Sequence, residues 1–285
     1  MSKVAIITDS TAYLPDELVR QYNITVLPLS IIWEGVSYRD GVDIQPEEFY
    51  RRLQDCKELP TTSQITAPAM QQAFSTLLDQ GNEVLGIFLS AKLSGTFDSA
   101  VQARNSLTSG QEKVAVVDSR FTTVAMGLPV LMAARAAQAG ESLAACKQLV
   151  ERASDQTGVL FVVETLEFMR RGGRIGGAAA FLGTALNIKP VLGMRDGQIE
   201  ALEKVRKKSA AVARLIEIVK DRIGGRSPVR LAASHAYAEA EAAAMLGMAS
   251  AELNPIETFC RPLSPVIGSH VGPGTVALAY MTGMP

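Results

Sequence analysis

The sequence predicts an α/β protein in two units. The first is an N-terminal α/β domain on a mostly parallel sheet flanked by helices, and the second a C-terminal α+β domain with a mixed sheet. Three observations carry this. Short, uniformly apolar runs such as "KVAIITD" and "EVLGIFLS" have the length and composition of strands buried on both faces. Stretches of helical character alternate with them, as the crossovers of a parallel sheet require. Past the "SDQTG" break the alternation loosens, and "NIKPVLGMRDGQIEAL" reads as two strands joined at Asp196-Gly197. The boundary falls near residues 154–158, giving domains 1–155 and 156–285.

Taken in order, "KVAIITDST" is a strand ending in a polar turn, and "LPDELVRQYNI" a helix with proline near its first turn. "ITVLPLSII" is a second strand, and "WEGVSYRDGVDI" a hairpin-like excursion turning at Asp40-Gly41. Pro46–Leu53 and Pro68–Gln80 read as helices, "EVLGIFLS" as a strand, Ser99–Leu107 as a helix and "KVAVVDSR" as a strand. The Ala-rich Val124–Gln138 is a buried helix, and Ser142–Ala153 another. In the second unit, "GVLFVVE", "VRLAASH", "IETFC" and "TVALAY" are strands, with helices over Ala210–Arg222 and Ala238–Ala251.

Composition excludes several classes. Of 285 residues, 47% are hydrophobic but only 6% aromatic, so the cores rely on aliphatic side chains and methionine. Lys plus Arg (28) balance Asp plus Glu (29), which speaks against a nucleic-acid binder. The three cysteines are scattered and show no CxxC spacing, so neither a disulfide framework nor a metal or redox motif is expected. The apolar run at the start is too short for a signal peptide, and no segment reaches the roughly 20 apolar residues of a membrane span. A cytoplasmic protein without stable membrane insertion is expected.

The strand ends, where open α/β sheets bind ligands, are rich in hydroxyls: Asp9-Ser10-Thr11, Ser90, Ser94, Thr96 and Ser99, Asp118-Ser119, Thr122-Thr123, and Thr61-Thr62-Ser63. Each serves either as an ordinary helix N-cap or as part of an anion site without a metal. Arg170, Arg171 and Arg174 gather around Gly172-Gly173, as a solvated basic turn or as forks for a carboxylate or phosphate. The small-residue stretch Gly176–Leu186 suits close helix packing, or the wall of a narrow apolar tunnel. "SPVIGSHVGPGT" reads as a segment of turns that brings His270 close to whatever it faces. P-loop, GxGxxG and GxSxG signatures are absent, and His235 and His270 lack metal-ligand spacing.

These motifs together resemble the DegV family, the fatty-acid-binding subunits of bacterial fatty acid kinase. The resemblance rests on "ITDST" (7–11), "PTTSQ" (60–64), "LSGTF" (93–97), "VDS" (117–119), "RRGGRI" (170–175), "KPVL" (189–192) and "SPVIGSHVGPGT" (264–275), in order along the whole chain. Phe97 stands where many relatives have tyrosine. The resemblance implies a two-domain protein that buries one long-chain fatty acid and needs no cofactor. A separate ATP-dependent kinase subunit would phosphorylate the presented carboxylate to an acyl phosphate. It places Thr62 and Ser94 on the carboxylate with His270 beside them, Arg171 in phosphoryl transfer, and Arg206, in "EKVRKKS", as a second arginine used with the kinase.

The residues agree with that implication on physical grounds. A buried carboxylate must be hydrogen-bonded, and two hydroxyls plus an imidazole satisfy it without a strong ion pair. A 16-carbon tail contributes about 10 kcal/mol at roughly 0.8 kcal/mol per CH₂, before ordering costs. Two other readings stay open: a Ser/His hydrolase using Ser94 and His270, and a small phosphate- or sugar-binding module.

Overall fold

A computed structural model of the chain describes residues 3–56, 58–183 and 188–284. The last residues of the Gly176–Leu186 stretch, 184–186, lie outside the described residues. In chain order the first half contains β1 (Val4–Asp9), α1 (Asp16–Gln21), β2 (Thr25–Leu27), β3 (Ser30–Trp33), β4 (Val36–Arg39), α2 (Pro46–Gln54) and β5 (Thr61–Ser63). These are followed by α3 (Ala67–Asp79), β6 (Glu83–Phe88), α4 (Thr96–Asn105), β7 (Val114–Asp118), α5 (Thr123–Gln138) and α6 (Leu143–Asp155). The second half contains β8 (Thr157–Val162), α7 (Glu167–Arg171), β9 (Lys189–Arg195), β10 (Gln198–Val205) and α8 (Lys208–Ile223). It ends with β11 (Val229–His235), α9 (Glu239–Leu253), β12 (Glu257–Pro262), α10 (Pro265–Val271) and β13 (Val276–Thr282).

The predicted fold class holds. Strands β2-β1-β6-β7 form an all-parallel sheet. The order β10-β9-β8-β13-β11-β12 forms a mixed sheet, antiparallel except at β11–β12. A small antiparallel sheet, β4-β3-β5, is the element the sequence pattern did not resolve.

Two local expectations are corrected. "ITVLPLSII" is not one strand, because Pro28 cannot donate to a ladder and splits it. The β2 piece stays in the parallel sheet while β3 turns into the small one. The hairpin turn is at Glu34-Gly35, where φ values of 51° and 78° close a two-residue loop between Trp33 and Val36. Asp40, expected in that turn, is instead buried. The Asp196-Gly197 turn between β9 and β10 forms as expected, with φ values of 49° and 80°.

Helix α5 joins the architecture. Its residues Thr123–Ala134 are all buried, so it has no solvent face over that length. It packs against β1 and β6 on one side and β8, β11 and β13 on the other, which makes it the shared middle layer. The alternation of β8 shows the same layering. Val159 and Phe161 join the core shared with α5, while Leu160 and Val162 join the core under α8 and α9.

Candidate functional site

The site forms where the carboxyl ends of the parallel strands meet the inner face of the mixed sheet. Strand β5 pairs with β3, setting Thr62 opposite Ile31. The turn after β6 carries Ser94, whose N–H donates to the Ser90 carbonyl (3.1 Å). The Ser94 hydroxyl lies 3.1 Å from the Thr96 hydroxyl at the start of α4. A Cβ at Gly95 would stand 2.2 Å from the Gln64 side-chain oxygen, so a larger residue there would displace the Gln64 side chain.

His270 arrives on α10, which corrects the expectation of a segment built only of turns. Ser264 caps this helix by accepting from the Ile267 N–H (3.3 Å), and Pro265 sets its first turn. Gly268 packs on the Tyr50 ring and Gly172 on the His270 ring, where a Cβ would lie 2.3 Å from Nδ1. Gly272 ends the helix at φ 74° against the Phe168 ring. The glycines do allow close approach, as expected, but they do so around a helix.

His270 Nε2 and Thr62 Oγ1 are 2.8 Å apart. Nδ1 is buried without a partner. A buried lone pair is tolerated better than an unpaired N–H, so we place the ring hydrogen on Nε2, donating to Thr62. The Thr62 hydroxyl hydrogen is then free to donate into the cavity. Burial, with the nearby Arg174 charge, lowers the His270 pKa to about 4, so the ring is neutral near pH 7.

Thr62, Ser94 and His270 line one cavity of about 330 Å³. Its body is apolar, walled by side chains such as Leu29, Val159, Phe161, Met194, Ile199 and Val266. The wall also carries polar groups: besides those three, Ser63, Gln64, Thr122, Thr123, Arg174 and Thr275. Its size lies near the lower end of the roughly 300–1,000 Å³ of small-molecule pockets.

Arg171 and Arg206 are not among the residues that line this cavity. Both are exposed. Arg171 pairs with Glu167 (2.5 Å), which also holds Arg170 (2.8 Å). Arg206 follows the end of β10. The residue of the basic turn that does reach the cavity is Arg174, which the sequence did not distinguish from its neighbours. Several hydroxyls singled out from the sequence are structural. Thr11 donates to Asp9 (2.6 Å), and Ser119 donates to the Phe121 carbonyl (3.1 Å).

The geometry speaks against the hydrolase reading. His270 is bonded to Thr62 rather than Ser94, and no carboxylate orients its other nitrogen. Among the described residues no group of three His, Cys, Asp or Glu side chains is placed to hold a metal, and no helix is long and apolar enough to cross a membrane.

Two sheets that enclose an apolar cavity with hydroxyls, an imidazole and one arginine in its wall define an α/β protein suited to a ligand with an apolar body and an acceptor head. The chain belongs to the DegV family: the profile described as "Uncharacterised protein, DegV family" matches residues 3–283. It is 34% identical over 279 residues to a DegV domain-containing protein of Clostridium perfringens, covering 97% of this chain and 98% of that one. Its fold superimposes with a TM-score of 0.92 on a fatty-acid-binding DegV family protein from Thermus thermophilus, at 34% identity and covering 98% and 99% of the two chains. For DegV from Bacillus subtilis, described as a fatty acid binding protein, the TM-score is 0.89 at 30% identity, covering 99% and 100%.

Proposed function

We propose that the protein binds one long-chain fatty acid in this cavity, with the tail along the apolar wall and the carboxylate at Thr62, Ser94 and His270. The observation that carries the reading is the joining of an apolar cavity to the Thr62–His270 pair, a neutral donor set with a hydroxyl turned inward. Neutral donors hold a carboxylate ionised without locking it in an ion pair, which suits a head group that is to react. Relatives of the same fold described as fatty-acid-binding support the same reading.

The finer proposal is that a separate ATP-dependent kinase subunit phosphorylates the presented carboxylate to an acyl phosphate, with Arg171 and Arg206 acting at that encounter. Support for those two comes from exposure, since both lie outside the cavity on the surface a partner can reach. On this reading the protein is a lipid-binding subunit with no cofactor of its own, its site formed between domains 1–155 and 156–285. Native mass spectrometry of freshly purified protein tests the binding step. An added mass equal to one long-chain fatty acid is expected. Protein that stays free of added mass after incubation with palmitic acid contradicts it.

A further inference from the structure

A second cavity, of about 400 Å³, lies at the carboxyl ends of β1 and β2, where parallel sheets bind ligands, and shares no lining residue with the first. Three of its wall side chains hold a buried polar atom that no group of the described residues bonds: Thr8 Oγ1, Asp40 Oδ1 and Arg261 Nε. Thr8 is fully buried and Asp40 is 2% exposed. The other Asp40 oxygen accepts from Ser10 (2.7 Å), two residues after Thr8, and Ser264 and Val266 flank the carboxyl. The described ion pair of Arg261 is a loose one, 3.4 Å from the largely exposed Asp16. Tyr13, also in the wall, feels both charges: Asp40 and Arg261 each act on its hydroxyl, and the guanidinium lies 5.8 Å from its ring centre. Three unbonded polar atoms around one cavity are costly in an empty state and are offset by a ligand that bonds them.

We propose that this cavity is a second binding site, for an α-amino acid with an apolar side chain, its ammonium at Asp40 and Thr8 and its carboxylate at Arg261 and Tyr13. The inference stands apart from the fatty-acid reading. Among the described residues no cation pairs with Asp40, so a negative charge buried there calls for a positively charged donor. An ammonium has three N–H groups, enough for both Asp40 Oδ1 and Thr8 Oγ1. The Arg261 fork matches a carboxylate. A simple acid would meet the repulsion of Asp40 and Asp16, and a simple amine that of Arg261, so the wall favours a molecule that carries both charges. The remaining wall is aliphatic, with Leu14, Val19, Val26 and Pro28 available to an apolar side chain. The volume is ample for such a ligand.

The test is calorimetric titration of the wild-type protein, in the presence of palmitic acid, with L-leucine, leucinamide and 4-methylpentanoic acid. The last two keep the apolar side chain but lack the carboxylate and the ammonium respectively. Leucine is expected to saturate one site, and each analogue to bind about tenfold more weakly or worse, the loss of one hydrogen bond between charged groups. Arg261→Gln should weaken leucine by a similar factor and leave leucinamide, which has no carboxylate, unchanged. No saturable binding at millimolar leucine overturns the site, and this outcome needs no variant to fold. Equal affinity for leucine and either analogue overturns the ligand class, as does saturation by glucose where leucine fails. Equal losses of leucine and leucinamide in Arg261→Gln overturn the role of Arg261. Palmitic acid binding is measured separately, so failure of the fatty-acid reading and failure of this one are seen independently.

Discussion

Thr62 and Ser94 were singled out from the other hydroxyls only by the resemblance, since each could equally have been a helix N-cap, and both line the cavity. Ser94→Ala and Thr62→Ala are each expected to weaken fatty acid binding by about 1.5–3 kcal/mol without unfolding the protein. A fluorescent fatty acid titration checks this, and unchanged affinity in both variants removes them from the site. Arg171 and Arg174 could not be told apart from sequence, because Gly173 at φ 70° reverses the chain between them and composition does not say which guanidinium turns inward. Arg171→Ala is expected to leave fatty acid affinity nearly intact while lowering acyl-phosphate formation with the kinase subunit by a factor on the order of 10². Parallel loss of binding and turnover would instead make Arg171 a ground-state ligand. Turnover at the wild-type rate would make its pairing with Glu167 merely structural.

At the scale of elements, α10 was hidden because seven residues give no periodicity, although Ser264 and Pro265 are a legible start signal. The three-residue β5 and four-residue β3 were hidden for the same reason, so the small sheet that places Thr62 could not be read. Beside the N-terminus of α10, next to Ser264 and Val266, lies the buried Asp40 carboxyl, which accepts from Ser10 (2.7 Å). Burial raises its pKa to about 7 from 3.8, and that of Asp9 to about 6. Between pH 4 and 7 the folded protein thus holds protons that the unfolded chain has released, so this contribution to stability falls as pH rises through about 7. His270 acts in the opposite sense, since its lowered pKa costs stability as pH falls below 6.5. Asp40→Asn, neutral throughout, is expected to gain thermal stability relative to wild type at pH 8 compared with pH 5. A melting difference that is the same at both pH values contradicts the raised pKa.

For the whole molecule, the two sheets were legible because buried strands advertise themselves as apolar runs, and α5 because apolar residues surround it on all sides. The cavity was not legible: Val159 and Phe161 come from β8, Met194 from β9 and Ile199 from β10, and nothing in their local sequence says that the layers leave room between them. On the proposed function, this room recognises a fatty acid by its ionised head as well as its tail. The most direct measurement compares the affinities of palmitic acid and methyl palmitate for the wild-type protein under identical conditions. The ester keeps the tail but loses the charge-assisted bonds at Thr62 and Ser94, so it should bind more weakly by about 10- to 150-fold, or about 1.5–3 kcal/mol. Equal affinity for acid and ester would contradict the claim.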